Sequence, residues 1–189
     1  IQLPGGGSLP TDSRTTFLDI NPWGVLQRVV DPIGGETSFE RDLAGRVVAV
    51  VDPSDNRTEY QYDAAGRLAR RLDPAPNAWQ GEPTTDYAYN LNDQVVSVVD
   101  ANGREREYLR DAAGRVTEER WSGYGGVLAT IATTYDALDR PVAITDPAAT
   151  LTFAYAAALD LTSVITQPTG RAASRLDYAH DAAGRLVST

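Results

Sequence analysis

The chain has 189 residues, 42% of them hydrophobic, and a formal charge of −9, which rules out a disordered, charge-dominated chain and leaves enough apolar material for an ordinary domain. That charge speaks against a nucleic-acid partner held by a basic surface, and the absence of cysteine excludes a disulfide framework or a thiolate metal site. No apolar run reaches the roughly 18 residues of a membrane-spanning helix, so no membrane insertion by this segment is expected.

Residues 1–16 read as a Gly/Pro-rich lead-in. The start, Ile1-Gln-Leu-Pro-Gly-Gly-Gly7, lacks the basic beginning and apolar core of a signal peptide. All 17 basic residues are arginine and methionine is missing, so the chain is expected to be a fragment of a longer exported protein.

Residues 17–189 read as about eight tandem units. Asp-x-Ala-Gly-Arg stands at Asp42–Arg46, Asp63–Arg67, Asp111–Arg115 and Asp181–Arg185. Weaker versions are Asn21-Pro-Trp-Gly24, Asn90-Leu-Asn-Asp93, Asp136-Ala-Leu-Asp139-Arg140 and a degenerate stretch near Tyr155–Asp160. The leading residues lie at 21, 42, 63, 90, 111, 136, about 156 and 181, so the basic period is about 21 residues with four to six extra after some copies. The extra residues are rich in turn formers, as in Pro74–Gly81, Ser122–Gly126 and Gln167–Gly170, and are expected to enlarge loops rather than core units.

Each unit predicts strand, tight turn, strand, second turn. An aromatic precedes the leading Asp or Asn by three residues at Phe39, Tyr60, Tyr87, Tyr108, Phe153 and Tyr178, and by one at Tyr62, Tyr89, Tyr135 and Tyr155. A spacing of two puts both positions on one strand face, where an aromatic ladder between hairpins is expected. In the turn, Asp42, Asp63, Asp111, Asp136 and Asp181 accept backbone N–H groups. Gly45, Gly66, Gly114, Gly184 and, in two copies, Asp93 and Asp139 supply the left-handed residue. Arg46, Arg67, Arg115, Arg140 and Arg185 follow it and are expected to pair with the turn acid or with a neighbouring repeat. Runs such as Val47–Val51, Leu68–Leu72 and Val95–Val99 then lead to second turns at Asp31-Pro32, Asp52-Pro53, Asp73-Pro74, Asp100-Ala101 and Asp146-Pro147. The result is an all-β array of about sixteen short strands with little helix.

Chemistry is sparse. The lone histidine, His180, fills the slot held elsewhere by Tyr62 and Tyr89, which makes it a strand residue rather than a base. The turn aspartates sit singly, without the Gly-Gly-x-Gly-x-Asp spacing of calcium-binding β-rolls, and no carboxylate pair stands apart for glycoside hydrolysis. No catalytic residue, metal ligand or cofactor is assigned, and the chain is not expected to be an enzyme. Trp79 and Trp121, in or beside insertions, are the candidates for an exposed ligand surface.

The motif Tyr62-Asp63-x-x-Gly66-Arg67-Leu68 and its copies resemble the YD repeat of bacterial Rhs proteins, toxin-complex C components and teneurins, over nearly the whole chain from Phe17 onward. That resemblance implies an arc of a β-sheet that spirals into a hollow shell. It also implies neighbouring repeats of the same parent chain as partners, and a role in enclosing or presenting another polypeptide such as a C-terminal toxin domain. A secreted or cell-surface bacterial location follows from it, with a cell-surface adhesion or carbohydrate-binding module as the alternative. Toxin-linked members close with Pro-x-x-x-x-Asp-Pro-x-Gly. Asp31-Pro-Ile-Gly34 matches only its last four positions and lies in an ordinary second-turn slot, so no protease activity is assigned.

Overall fold

A computed structural model describes residues 16–75, 83–156, 161–181, 183 and 185–188, and within them the protein is all-β, without a helix. The proposed lead-in up to residue 15, Trp79 and Gly184 lie outside the described residues. The chain divides into two compact units, Ile1–Tyr87 and Ala88–Thr189.

The first unit contains β1 (Phe17–Ile20), β2 (Leu26–Val30), β3 (Glu36–Arg41), β4 (Val47–Val51), β5 (Arg57–Tyr62), β6 (Leu68–Leu72) and the start of β7 (Thr84–Tyr89). Each strand pairs antiparallel with the next in sequence. The second unit continues with β8 (Val95–Val99), β9 (Glu105–Arg110), β10 (Val116–Gly123), β11 (Gly126–Tyr135), β12 (Pro141–Thr145), β13 (Ala149–Tyr155), β14 (Leu161–Pro168) and β15 (Ser174–Asp177). It pairs in the same consecutive order. A separate two-stranded pair is formed by β16 (Ala179–His180) and β17 (Leu186–Ser188).

The turns explain this meander. Asp42 donates its N–H to the Arg46 carbonyl at 3.0 Å, and Gly45 donates to the Asp42 carbonyl at 3.0 Å with φ = 81°. Asp42 Oδ1 then accepts the N–H groups of Ala44 and Arg46 at 2.9 and 3.0 Å. The left-handed residue creates a one-residue register shift, so Arg41 pairs with Val47 beside Glu40 with Ala49, and the bulge strengthens the hairpin's twist. Where glycine is missing, Asp93 and Asp139 take φ of 59° and 63°, which short acidic side chains tolerate better than most. The second turns at Asp31, Asp52 and Asp100 close by the same five-residue device, with Gly34, Asp55 and Gly103 left-handed.

Two details depart from the sequence reading. The insertion at 122–126 lengthens strands instead of enlarging a loop: β10 and β11 run to 8 and 10 residues and are still paired at Gly123 with Gly126. β14 likewise reaches 8 residues, ending on Pro168. Extra residues that alternate and hydrogen-bond across a hairpin extend its ladder at little loop-closure cost.

Among the described residues only Val30, Ala49 and Ser163 are essentially enclosed, at 2%, 0% and 4% exposure. Within each unit the described strands pack against their neighbours in the sheet, which leaves their apolar side chains half-covered. Stability therefore rests on the ladder hydrogen bonds and on contacts from one repeat to the next.

Candidate functional site

The chemically distinctive residues converge at the junctions between repeats. The ladder that joins one repeat to the next stops short of the first turns. It ends at Ala49 with Glu59, at Glu118 with Ala132 and at Ala143 with Thr152. Two residues before each of those ends, the carbonyls of Val47, Val116 and Pro141 lie beyond the ladder and need a donor from elsewhere. The tyrosine immediately before the next turn supplies it: Tyr62 Oη donates to Val47 O at 2.7 Å, Tyr135 to Val116 O at 2.8 Å and Tyr155 to Pro141 O at 2.8 Å.

The arginine closing the preceding turn completes the clamp. Its Nε donates to its own turn aspartate at 2.7 Å in Arg46–Asp42, Arg115–Asp111 and Arg140–Asp136, and at 2.8 Å in Arg67–Asp63. Its guanidinium lies over the ring of the next repeat's tyrosine, 4.5 Å from the centroid for Arg46 on Tyr62, 4.8 Å for Arg115 on Tyr135 and 4.4 Å for Arg140 on Tyr155. Arg115 Nη1 also reaches across to Asp139 Oδ1 at 2.7 Å and Asp136 O at 3.3 Å. One planar cation thus ties its own turn to the neighbouring hairpin through hydrogen bonds and a cation–π contact.

This geometry acts on the turn acids. Asp42 and Asp111 are held below the usual carboxylate range, first by the side-chain hydrogen bonds of Arg46 and Arg115 acting against some desolvation. Asp63 and Asp181 are lowered first by the backbone N–H groups of Arg67 and Arg185 and then by those side chains. For Asp136, desolvation pushes upward but is outweighed by Arg140, and the net direction is down.

The same pre-turn slot contains an arginine in two repeats, a functional pattern that the tyrosine rows obscured. Arg110 donates to Val95 O and to Gly114 O, both at 3.1 Å. Arg41 reaches Leu26 O at 3.5 Å and Gly45 O at 3.1 Å. Leu26 and Val95 are the residues corresponding to Val47 in their own repeats, so arginine and tyrosine serve one acceptor position. The signal in the sequence is that Arg41 and Arg110 stand immediately before Asp42 and Asp111, where Tyr62 stands before Asp63.

Of the remaining aromatics of the two rows, all but Tyr178 stand in strands. Phe39, Tyr60 and Tyr62 line one shallow hollow of about 260 Å³ with Val47 and Val50. Tyr87 and Tyr89 end β7, Tyr108 lies in β9, Phe153 in β13, and Tyr178 between β15 and β16 donates its N–H to Thr162 O at 2.9 Å. His180 pairs with Leu186 in a strand. Among the described residues no three His, Cys, Asp or Glu side chains converge to hold a metal.

Trp121 is not a loop residue but stands inside β10, paired with Arg106 and Ala129. Its ring is covered by the Arg106 guanidinium at 4.1 Å and its Nε1 donates to Glu119 at 2.6 Å. It borders a cleft of about 350 Å³ together with Arg104, Tyr108 and Leu128.

The RHS Repeat family matches the chain at residues 41–78 and 89–120, spans that contain the turns at Asp42, Asp63, Asn90 and Asp111. No curated protein matches it. Among solved structures, the crystal structure of TcdB2-TccC3-Cdc42 superposes with a TM-score of 0.75 at 15% identity, covering 88% of this chain and 10% of that one. A Photorhabdus luminescens Tc holotoxin pore gives 0.72 at 15% identity over 87% and 10%. TcdB2-TccC3 without its hypervariable C-terminal region gives 0.63 at 15% identity over 94% and 11%. The chain therefore spans about a tenth of the length of the structures it resembles. Two segments of the chain, residues 41–78 and 89–120, are thus RHS Repeat matches, and its all-β hairpin fold is the one seen in these Tc structures.

Proposed function

We propose that this chain is a wall segment of a YD-repeat shell that encloses or presents another polypeptide, such as a toxin domain, in a secreted or cell-surface bacterial protein. The observation that carries this reading is the repeated clamp. The arginines, turn aspartates and tyrosines that look chemically eventful are engaged in joining one hairpin to the next, as in Arg46 with Asp42 and Tyr62. The fold shared with Tc complexes that contain TccC3 supports it. The mechanism is steric: a hydrogen-bonded wall, extended hairpin by hairpin, keeps its cargo from solvent and proteases. No reaction is part of it, and the chain acts as structure rather than as an enzyme.

Reading the parent frame beyond residue 189 and imaging the parent protein by electron microscopy tests this. Further repeats around a lumen that contains protein density support it, and a parent particle without a lumen overturns it.

The cleft of about 350 Å³ beside Trp121, Tyr108 and Arg104 favours one second reading, a carbohydrate-binding surface. Sugar binding on a glycan array that is lost with Trp121→Ala would support that reading; no binding on the array would remove it.

A further inference from the structure

We infer that the two residues facing each other across a junction, the closing residue of one turn and the residue before the next turn, form a one-arginine code that selects which hairpin can dock beside which.

Within each unit these pairs are Val25 with Arg41, Arg46 with Tyr62, Gln94 with Arg110, Arg115 with Tyr135 and Arg140 with Tyr155. Each contains a single arginine, on one side or the other. The turn's leading residue follows suit: it is aspartate when the closing residue is arginine, at Asp42, Asp63, Asp111 and Asp136. It is asparagine when the closing residue is not, at Asn21 and Asn90. The pair Asp160 with His180 contains no arginine and belongs to the degenerate repeat near residue 156.

The geometry supplies the reason. In the Arg–Tyr form the guanidinium comes from below, anchored on its aspartate, and stacks on a tyrosine whose hydroxyl satisfies the orphan carbonyl. In the Gln–Arg form the guanidinium comes from above and satisfies that carbonyl itself, at Val95 O, while Gln94 contacts Gly114 O at 3.3 Å and is held by Asn90 Nδ2 at 2.9 Å. Both forms fill the splayed end of the ladder with one planar cation. Two arginines would bring like charges together over one acceptor, and none would leave the tyrosine ring uncovered or the carbonyl without a donor. An exposed edge that ends in an Asp-x-x-Gly-Arg turn thus presents a socket for a strand with tyrosine before its turn. An edge that ends in Asn and a neutral closing residue accepts a strand with arginine there.

Reciprocal exchange in the whole chain tests the code through the unfolding midpoint. Tyr135→Arg places a second cation against Arg115 and should lower the midpoint by a few degrees. Adding Arg115→Gln should raise it again, although Arg115→Gln by itself removes the bonds to Asp111 and Asp139. In the opposite direction, Arg110→Tyr should cost stability that Gln94→Arg restores, and this second pair keeps the test open if Tyr135→Arg does not fold. Each double variant is expected to melt above its corresponding pre-turn single variant. A double variant at either junction that melts no higher than that single variant overturns the code.

Discussion

The guanidinium of Arg46 lies 4.5 Å from the ring centroid of Tyr62, a residue of the following repeat, while the Tyr62 hydroxyl donates to Val47 O at 2.7 Å. The two contacts close the end of a junction whose backbone ladder has already stopped at Ala49 with Glu59. A side chain here does what a backbone N–H does elsewhere in the sheet.

Tyr62→Phe isolates the hydroxyl. It keeps the ring beneath Arg46 and removes the donor to a half-buried carbonyl, so stability should fall by about 1 kcal/mol. Tyr62→Ala also removes the ring and should cost about 2–3 kcal/mol. Urea denaturation of the two variants measures the difference; equal losses would mean that the hydroxyl contributes nothing.

Gly45 separates backbone strain from crowding. Its φ is 81°, and a Cβ added there would meet nothing within 4 Å, so any penalty is torsional. Gly45→Val should destabilise by about 1–3 kcal/mol, and Gly45→Asn by less than about 1 kcal/mol, because asparagine visits the left-handed region. Thermal melts of both variants give the ordering, and a valine variant as stable as the asparagine variant would contradict the turn geometry.

Much of this architecture is legible in the residues because its rules are local. Asp63, Gly66 and the alternating Tyr60 and Tyr62 encode a turn and a strand face within seven residues, and the 21-residue spacing repeats them. What stays hidden depends on where the ladder ends. That Tyr62 and Arg110 reach equivalent carbonyls follows from a register that stops two residues early, and no single repeat contains that information. The lengthened β10–β11 hairpin was hidden for a different reason. Ser122-Gly-Tyr-Gly-Gly126 has the composition of a loop, yet Gly123 and Gly126 pair across a two-residue tip.

Acid should loosen the junctions in a defined window. Asp42 and Asp111 have folded-state values below their ordinary one, first through Arg46 and Arg115. A depressed carboxylate contributes stability that is present above its unfolded value, near 3.9, and disappears as pH falls through the folded value. The midpoint should therefore be flat above about pH 5 and fall below about pH 4. Asp111→Asn should show a shallower fall when melts are recorded across that range, and an unchanged slope would remove Asp111 from the explanation.

The turn acid has two separable duties, and Asp63 allows each to be removed in turn. Oδ1 accepts the N–H groups of Ala65 and Arg67, both at 2.9 Å, and Oδ2 accepts Arg67 Nε at 2.8 Å. Asp63→Asn keeps an oxygen for the backbone and gives up the charge, as Asn21 does with Trp23 and Val25 at 3.0 Å. Because both side chains of the Asp63–Arg67 pair keep contact with solvent, at 26% and 27% exposure, screening should keep the loss small. Asp63→Ala leaves two turn N–H groups without their acceptor and should cost about 1–2 kcal/mol more. Chemical denaturation of both variants beside the parent chain decides between the duties. If the asparagine variant is as unstable as the alanine variant, the ion pair rather than the backbone acceptor holds the turn.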